Sequence, residues 1–126
     1  MIAPSSKRRT RLVLVVDDDD MIRRLVRDVL EVDEVDVVEA RNGEIALTQI
    51  EQTRPAVVVL DIMMPGIDGV EVCRRLDHSV VKVLVLTARD DPRLEEACRA
   101  AGANAFLTKP FSSIDLLDQV VELLAG

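Results

Sequence analysis

An α/β fold, a doubly wound sheet of five parallel strands with helices on both faces, is predicted by three observations. Short apolar runs alternate with helical patterns five times between residues 12 and 126. Strands joined in this way through short helical crossovers must run parallel in one sheet. The runs are continuously apolar and rich in Val, as strands buried on both faces read. The composition agrees: 48% of residues are hydrophobic but only 2% aromatic, with no Trp or Tyr. Such a core is aliphatic and suits parallel strands better than a sandwich or barrel.

The first strand is Leu12–Val16. After it Ile22, Leu25, Val26 and Val29 recur at helical spacing, with Arg23, Arg24 and Arg27 expected on the opposite face. This first helix starts near Asp19 or Asp20. Val35–Glu39 is short and partly polar, which suits an edge strand. Asn42-Gly43 opens the second helix, and Pro55 prevents its continuation past about Thr53. Ala56–Leu60 is the third strand, and the Met-Pro-Gly stretch behind it is a turn.

The third helix places Gly69, Val72, Cys73 and Leu76 inward. Val81–Leu86 is the fourth strand. Asp91-Pro92 caps and starts the fourth helix, and Gly102 stops it. Ala105–Thr108 is the short fifth strand. Ser112 with Asp115 starts the fifth helix, whose apolar face is Leu117, Val120, Val121 and Leu124.

At 126 residues the chain has the length of one domain. Residues 1–10 are expected to be a basic, disordered tail and residues 11–126 the folded domain. Net charge is −7, and because Lys7, Arg8, Arg9 and Arg11 open the chain without an acid, the remainder is more acidic still. That body repels nucleic acid and favours cations. The apolar runs fall far short of the roughly 20 residues of a membrane helix. Cys73 and Cys98 lack metal-ligand spacing and are expected to be buried free thiols of a cytoplasmic protein.

Function is legible where polar groups follow the apolar runs. Asp17-Asp18 follows the first, Asp61 the third, Thr87 the fourth and Lys109-Pro110 the fifth. The carboxyl edge of an open parallel sheet is where ligands bind. A lone Asp after a strand usually caps a turn, but Asp61 can also attack phosphorus as a nucleophile. Asp17 and Asp18 near it would repel it unless a cation intervened, and Mg²⁺ is the ion whose oxygen-ligand chemistry fits. Asp19 and Asp20 favour the positive end of the first helix instead. Thr87 offers a hydroxyl and Lys109 a fixed charge to a phosphoryl group. His78, the sole histidine, reads as a solvated loop residue.

On LVLVVDDDD (12–20), ARNGEIAL (40–47), VVVLDIMMPGIDG (57–69), VLVLTA (83–88) and GANAFLTKPF (102–111), the chain resembles the receiver domain of two-component response regulators. The resemblance implies a flavodoxin-like sheet in the order 2-1-3-4-5. It implies Asp61 as phosphoacceptor, and Mg²⁺ held by Asp17, Asp18, Asp61 and the Met63 backbone carbonyl. Thr87 and Lys109 would engage the phosphoryl group, Phe106 would be the aromatic switch, and the Lys109–Pro110 bond would be cis.

The implied partners are a sensor histidine kinase or phosphotransfer protein and an output partner on the surface of the fourth helix, fifth strand and fifth helix. A phosphorylation-linked homodimer is a further expectation, with no direct nucleic-acid or membrane partner. Such a domain catalyses only its own phosphorylation and dephosphorylation. The stretch Asp77–Val80 is shorter than usual in the family, which leaves the length of the third helix open. Two alternatives stand beside this reading: a constitutive interaction module, and a haloacid-dehalogenase-type phosphohydrolase with Asp17 as nucleophile. The chain is expected to be either a single-domain regulator or the receiver piece of a longer one.

Overall fold

The computed structural model describes residues 11–126. Five strands, β1 (Leu12–Val16), β2 (Asp36–Ala40), β3 (Val57–Asp61), β4 (Lys82–Thr87) and β5 (Ala105–Thr108), form one sheet in the order β2-β1-β3-β4-β5. Every pairing is parallel. Five helices connect or follow them: α1 (Asp20–Glu31), α2 (Gly43–Thr53), α3 (Gly69–Arg74), α4 (Pro92–Ala100) and α5 (Ser113–Ala125).

The central strands explain the continuous apolar runs. Successive side chains of a strand point to opposite faces, and here both faces are covered. Leu14, Val16, Val58, Leu60, Val83 and Val85 pack with Ala46 of α2, Val72 and Cys73 of α3 and Cys98 of α4. Val13, Val15, Val57, Val59, Leu84 and Leu86 pack with Val26 and Leu30 of α1 and Leu116 and Val120 of α5. Both cysteines are free and buried, as expected.

Caps set the helix starts. Asp19, Asn42, Asp68, Asp91 and Ser112 each accept backbone N–H bonds that a helix's first turn leaves orphaned. Pro92 occupies the first position of α4. Gly102, at φ +110°, follows the end of that helix in a conformation that costs other residues dearly.

Several boundaries differ from the sequence reading for one reason. β2, β3 and β4 each run one residue further, to Ala40, Asp61 and Thr87, because the ladder pairs backbones whatever the side chain. Asp61 stays in register with Leu86, and the Asp17 amide donates to the Ala40 carbonyl at 3.2 Å. Helix α3 ends at Arg74, so Leu76 lies beyond it, though still packed against the core.

On α1, Leu25 is 45% exposed and Leu30 takes the buried place. Arg23 is not on the solvent face: its side chain is only 13% exposed. On α5, Leu116 is buried and Val121 only half-buried. His78 is not a solvated loop residue. Its Nε2 lies 2.7 Å from the Cys73 carbonyl, and a Cβ on Gly102 would collide with its ring. The basic tail expected at residues 1–10 lies outside the described residues, but Arg11 is docked, with Nη2 2.8 Å from Asp33 Oδ2.

Candidate functional site

The carboxyl ends of β1, β3, β4 and β5 bring the sequence-selected groups together. Asp17, one residue past β1, is 1% exposed. Its Oδ1 accepts the Asp19 N–H at 2.9 Å, and its Oδ2 accepts from Lys109 Nζ at 2.9 Å. Asp61 ends β3 and is 3% exposed. Its Oδ1 accepts the Met63 N–H at 3.0 Å, and Lys109 Nζ stands 3.8 Å from its Oδ2. Lys109 therefore bridges both carboxylates and sits nearer Asp17 than Asp61. Asp18 is exposed, yet one carboxylate oxygen from each of Asp17, Asp18 and Asp61 can be chosen so that all lie within 4.8 Å of one another.

Two buried carboxylates and a third beside them, with one ammonium for balance, leave negative charge unmatched. Burial pushes the Asp61 carboxyl up to about 6; the charges of Asp17 and Asp18 add to the rise, while the Met63 N–H and Lys109 oppose it. Oxygen donors so spaced suit a hard divalent cation, which would offset the burial and the carboxylate repulsion that together raise Asp61.

The β3–α3 connection is shaped by close approach. A Cβ on Gly69 would lie 2.7 Å from the Asp61 carbonyl oxygen and would also overlap Ile62, so only glycine lets α3 begin against the end of β3. This fold-back encloses Met63 through Asp68 in the turn behind Asp61.

Thr87 is fully buried at the end of β4, where its Oγ1 accepts the Arg89 N–H at 3.1 Å. Its own hydroxyl proton is still available to donate. Phe106 pairs in register with Val85 and is half-buried, packing on the face covered by α2, α3 and α4. The Lys109–Pro110 peptide is cis.

Two residues at the site escaped the sequence reading. Arg23 Nη1 donates to the Asp17 carbonyl at 2.7 Å, and its Nε donates to Glu39 Oε1 at 3.0 Å. The signal was present: Arg23 stands three and seven positions before Val26 and Leu30, on their face of α1. Counting apolar residues alone hid it. Burial raises the Glu39 carboxyl, but hydrogen bonds from Arg27 and Arg23 outweigh that and hold it below the usual range.

These features define a small parallel α/β domain with an acidic, cation-suited pocket at its carboxyl edge, flanked by a lysine and a buried threonine. The sequence pattern of the response regulator receiver domain matches residues 13–121. Response regulator MprA of Mycolicibacterium vanbaalenii is 44% identical over 114 residues, covering 89% of this chain and 49% of that protein. The chain thus spans about half the length of the curated relatives it matches. A Francisella response-regulator receiver domain superposes with a TM-score of 0.83 at 32% identity, covering 90% of this chain and 96% of that one. Chemotaxis protein CheY4 of Vibrio cholerae gives 0.83 at 29% identity, covering 89% of this chain and 97% of that one. The chain belongs to the response regulator receiver domain family, the signalling domain of two-component systems. Its sheet order and helix layers are those the resemblance implied. None of the described helices is long and apolar enough to cross a membrane.

Proposed function

We propose that this domain is a phosphorylation-dependent switch in which Asp61 is the phosphoacceptor. The observation that carries the reading is the convergence on Asp61 of Asp17, Asp18 and Lys109 from two other strand ends. Asp17, Asp18, Asp61 and the Met63 carbonyl would hold Mg²⁺, which when bound supplies charge neutralisation and orientation for phosphoryl transfer.

An Asp61 carboxylate oxygen forms the new bond to phosphorus as the donor's P–N bond breaks and its electron pair returns to the imidazole. A phosphohistidine of a sensor kinase or phosphotransfer protein is the donor class, with small acyl phosphates as substitutes. Lys109 neutralises charge developing on the transferred group, a task for which a partly buried ammonium already held between two carboxylates is suited. Water attack on the acyl phosphate reverses the state, so the domain acts only on itself and turns over no separate substrate.

The Thr87 hydroxyl then moves from its ground-state arrangement to donate to a phosphoryl oxygen. Phe106 follows inward, and the surface of α4, β5 and α5 changes its affinity for an output partner or a second copy. The logic is a bistable packing element biased by a new local charge. Half-burial of Phe106 supports it, since a ring already seated in the core would have nowhere to go.

Intact mass after incubation with acetyl phosphate and Mg²⁺ tests the acceptor. The parent is expected to gain one phosphoryl group only when Mg²⁺ is present, and Asp61→Asn none. An adduct retained by Asp61→Asn would place the acceptor elsewhere.

A further inference from the structure

We infer that Arg23 is a positioning residue for the acidic cluster: its grip on the Asp17 carbonyl sets the Asp17–Asp18 peptide and so aims Asp18 at the cation pocket. The Asp17 carbonyl stands where the sheet ladder stops. Val16 is the last residue of β1 in register with its neighbours on both sides. One residue on, the Asp17 carbonyl accepts no backbone N–H among the described residues. In a residue only 1% exposed, an unpaired carbonyl is costly. Arg23 Nη1 fills that place at 2.7 Å.

Asp18 is where the consequence falls. Its side chain is exposed and takes part in none of the hydrogen bonds or ion pairs of the described residues, yet a carboxylate oxygen lies within reach of those of Asp17 and Asp61. Only backbone direction holds it there. The plane of the Asp17–Asp18 peptide supplies that direction, and the Asp17 carbonyl is the handle on the plane. Asp17 itself needs no such help, because Asp19 and Lys109 hold both its carboxylate oxygens.

The guanidinium is in turn fixed on its other edges. Nε donates to Glu39 Oε1 at 3.0 Å, and Nη2 pairs with Asp20. Glu39 is held from the far side by Arg27, whose Nε lies 2.6 Å from Oε2. Glu39 is the residue before Ala40, whose carbonyl accepts the Asp17 N–H. One planar cation thus ties the ends of β1 and β2 to α1, a task that needs a rigid fork rather than a point charge.

This inference rests on the Mg²⁺ reading above. Its test is the Mg²⁺ affinity of the folded protein, followed through the backbone amide NMR signals of Asp18 and Met63, in the parent, Arg23→Lys and Glu39→Gln. Arg23→Lys keeps the charge but loses the fork, and is expected to weaken Mg²⁺ binding about tenfold, the low end for loss of a residue that orients metal ligands. Glu39→Gln, the variant less prone to misfold, is expected to weaken it in the same direction by a smaller factor. Acetyl-phosphate loading of both variants is expected to recover at saturating Mg²⁺, so that the defect lies in affinity and not in the transfer step.

Parent-like affinity in Arg23→Lys overturns the inference, as does a fall in thermal stability with affinity unchanged, which would mark a merely structural role. A parent that shows no saturable Mg²⁺ response at Asp18 or Met63 overturns the Mg²⁺ reading itself and this inference with it.

Discussion

The proposed acceptor half of the molecule and its proposed reporting half are packed to different standards. In β1, which ends just before Asp17, and β3, which ends on Asp61, nearly every residue is fully buried, and both acids accept backbone N–H bonds. In β5, which carries Phe106, only Ala105 is buried; Phe106, Leu107 and Thr108 are half-buried. The helix beside it, α4, commits only Cys98 to the core. A site for phosphoryl transfer needs fixed geometry, whereas a surface that must report on it needs a second arrangement within reach. The difference in packing would allow both in one sheet.

Leu60→Ala and Leu107→Ala should break this contrast most visibly. Leu60 is fully buried in β3, and its truncation is expected to cost about 3 kcal/mol. Leu107, half-buried in β5, should lose about 1 kcal/mol for the same atoms removed. Urea denaturation midpoints measure both, and equal losses would show that the halves are packed alike.

A second test uses the raised pKa of Asp61. Its carboxyl, held at about 6, binds a proton more tightly in the folded chain than unfolded. Folding is therefore favoured by Asp61 as pH falls below about 6, and opposed by its charge above that value. The metal-free parent is expected to melt below Asp61→Asn at pH 8 and to close the gap as pH falls to 5. Because cation binding must displace that proton, Mg²⁺ affinity should drop by at most about tenfold per pH unit below the same point. A gap that does not narrow would mean that the charge on Asp61 is already compensated.

Thr87→Ala sharpens the comparison at the boundary between the halves. It removes a methyl from a fully buried position and takes away the acceptor of the part-buried Arg89 N–H, at a cost of roughly 1–2 kcal/mol. Phosphoryl loading should persist in this variant while the amide signals of β5 and α4 stop responding to it. A full response without the hydroxyl would remove Thr87 from the switch.

The smallest effect is expected at Asp91→Ala. Asp91 caps α4 through the Arg93 N–H at 3.0 Å, and its loss should cost about 1 kcal/mol. Amide exchange should quicken in α4 and stay unchanged in β1 and β3. Acceleration spread over the whole sheet would mean that α4 does not open on its own.

Legibility followed the same division. The buried strands announced themselves because two-sided burial leaves only apolar residues, and the caps because Asp, Asn and Ser satisfy N–H groups locally. Asp61, Thr87 and Lys109 stood out as polar residues just where such runs end. Arg23 and Glu39 did not, because each has the appearance of an ordinary solvated charge until the ends of β1 and β2 are brought side by side. His78 was misread for a related reason: its partners, the Cys73 carbonyl and Gly102, meet it only when the ends of α3 and α4 converge.

By itself the sequence determined the alternation of strand and helix, the parallel sheet that alternation requires, and the group of side chains at its carboxyl edge. These follow from short-range rules of burial, capping and chain connection. Only the tertiary structure decided that Lys109 sits closer to Asp17 than to Asp61, and that a carbonyl past β1 is satisfied by an arginine of α1. Both depend on ångström distances between segments far apart in the chain, which packing sets and no local pattern encodes.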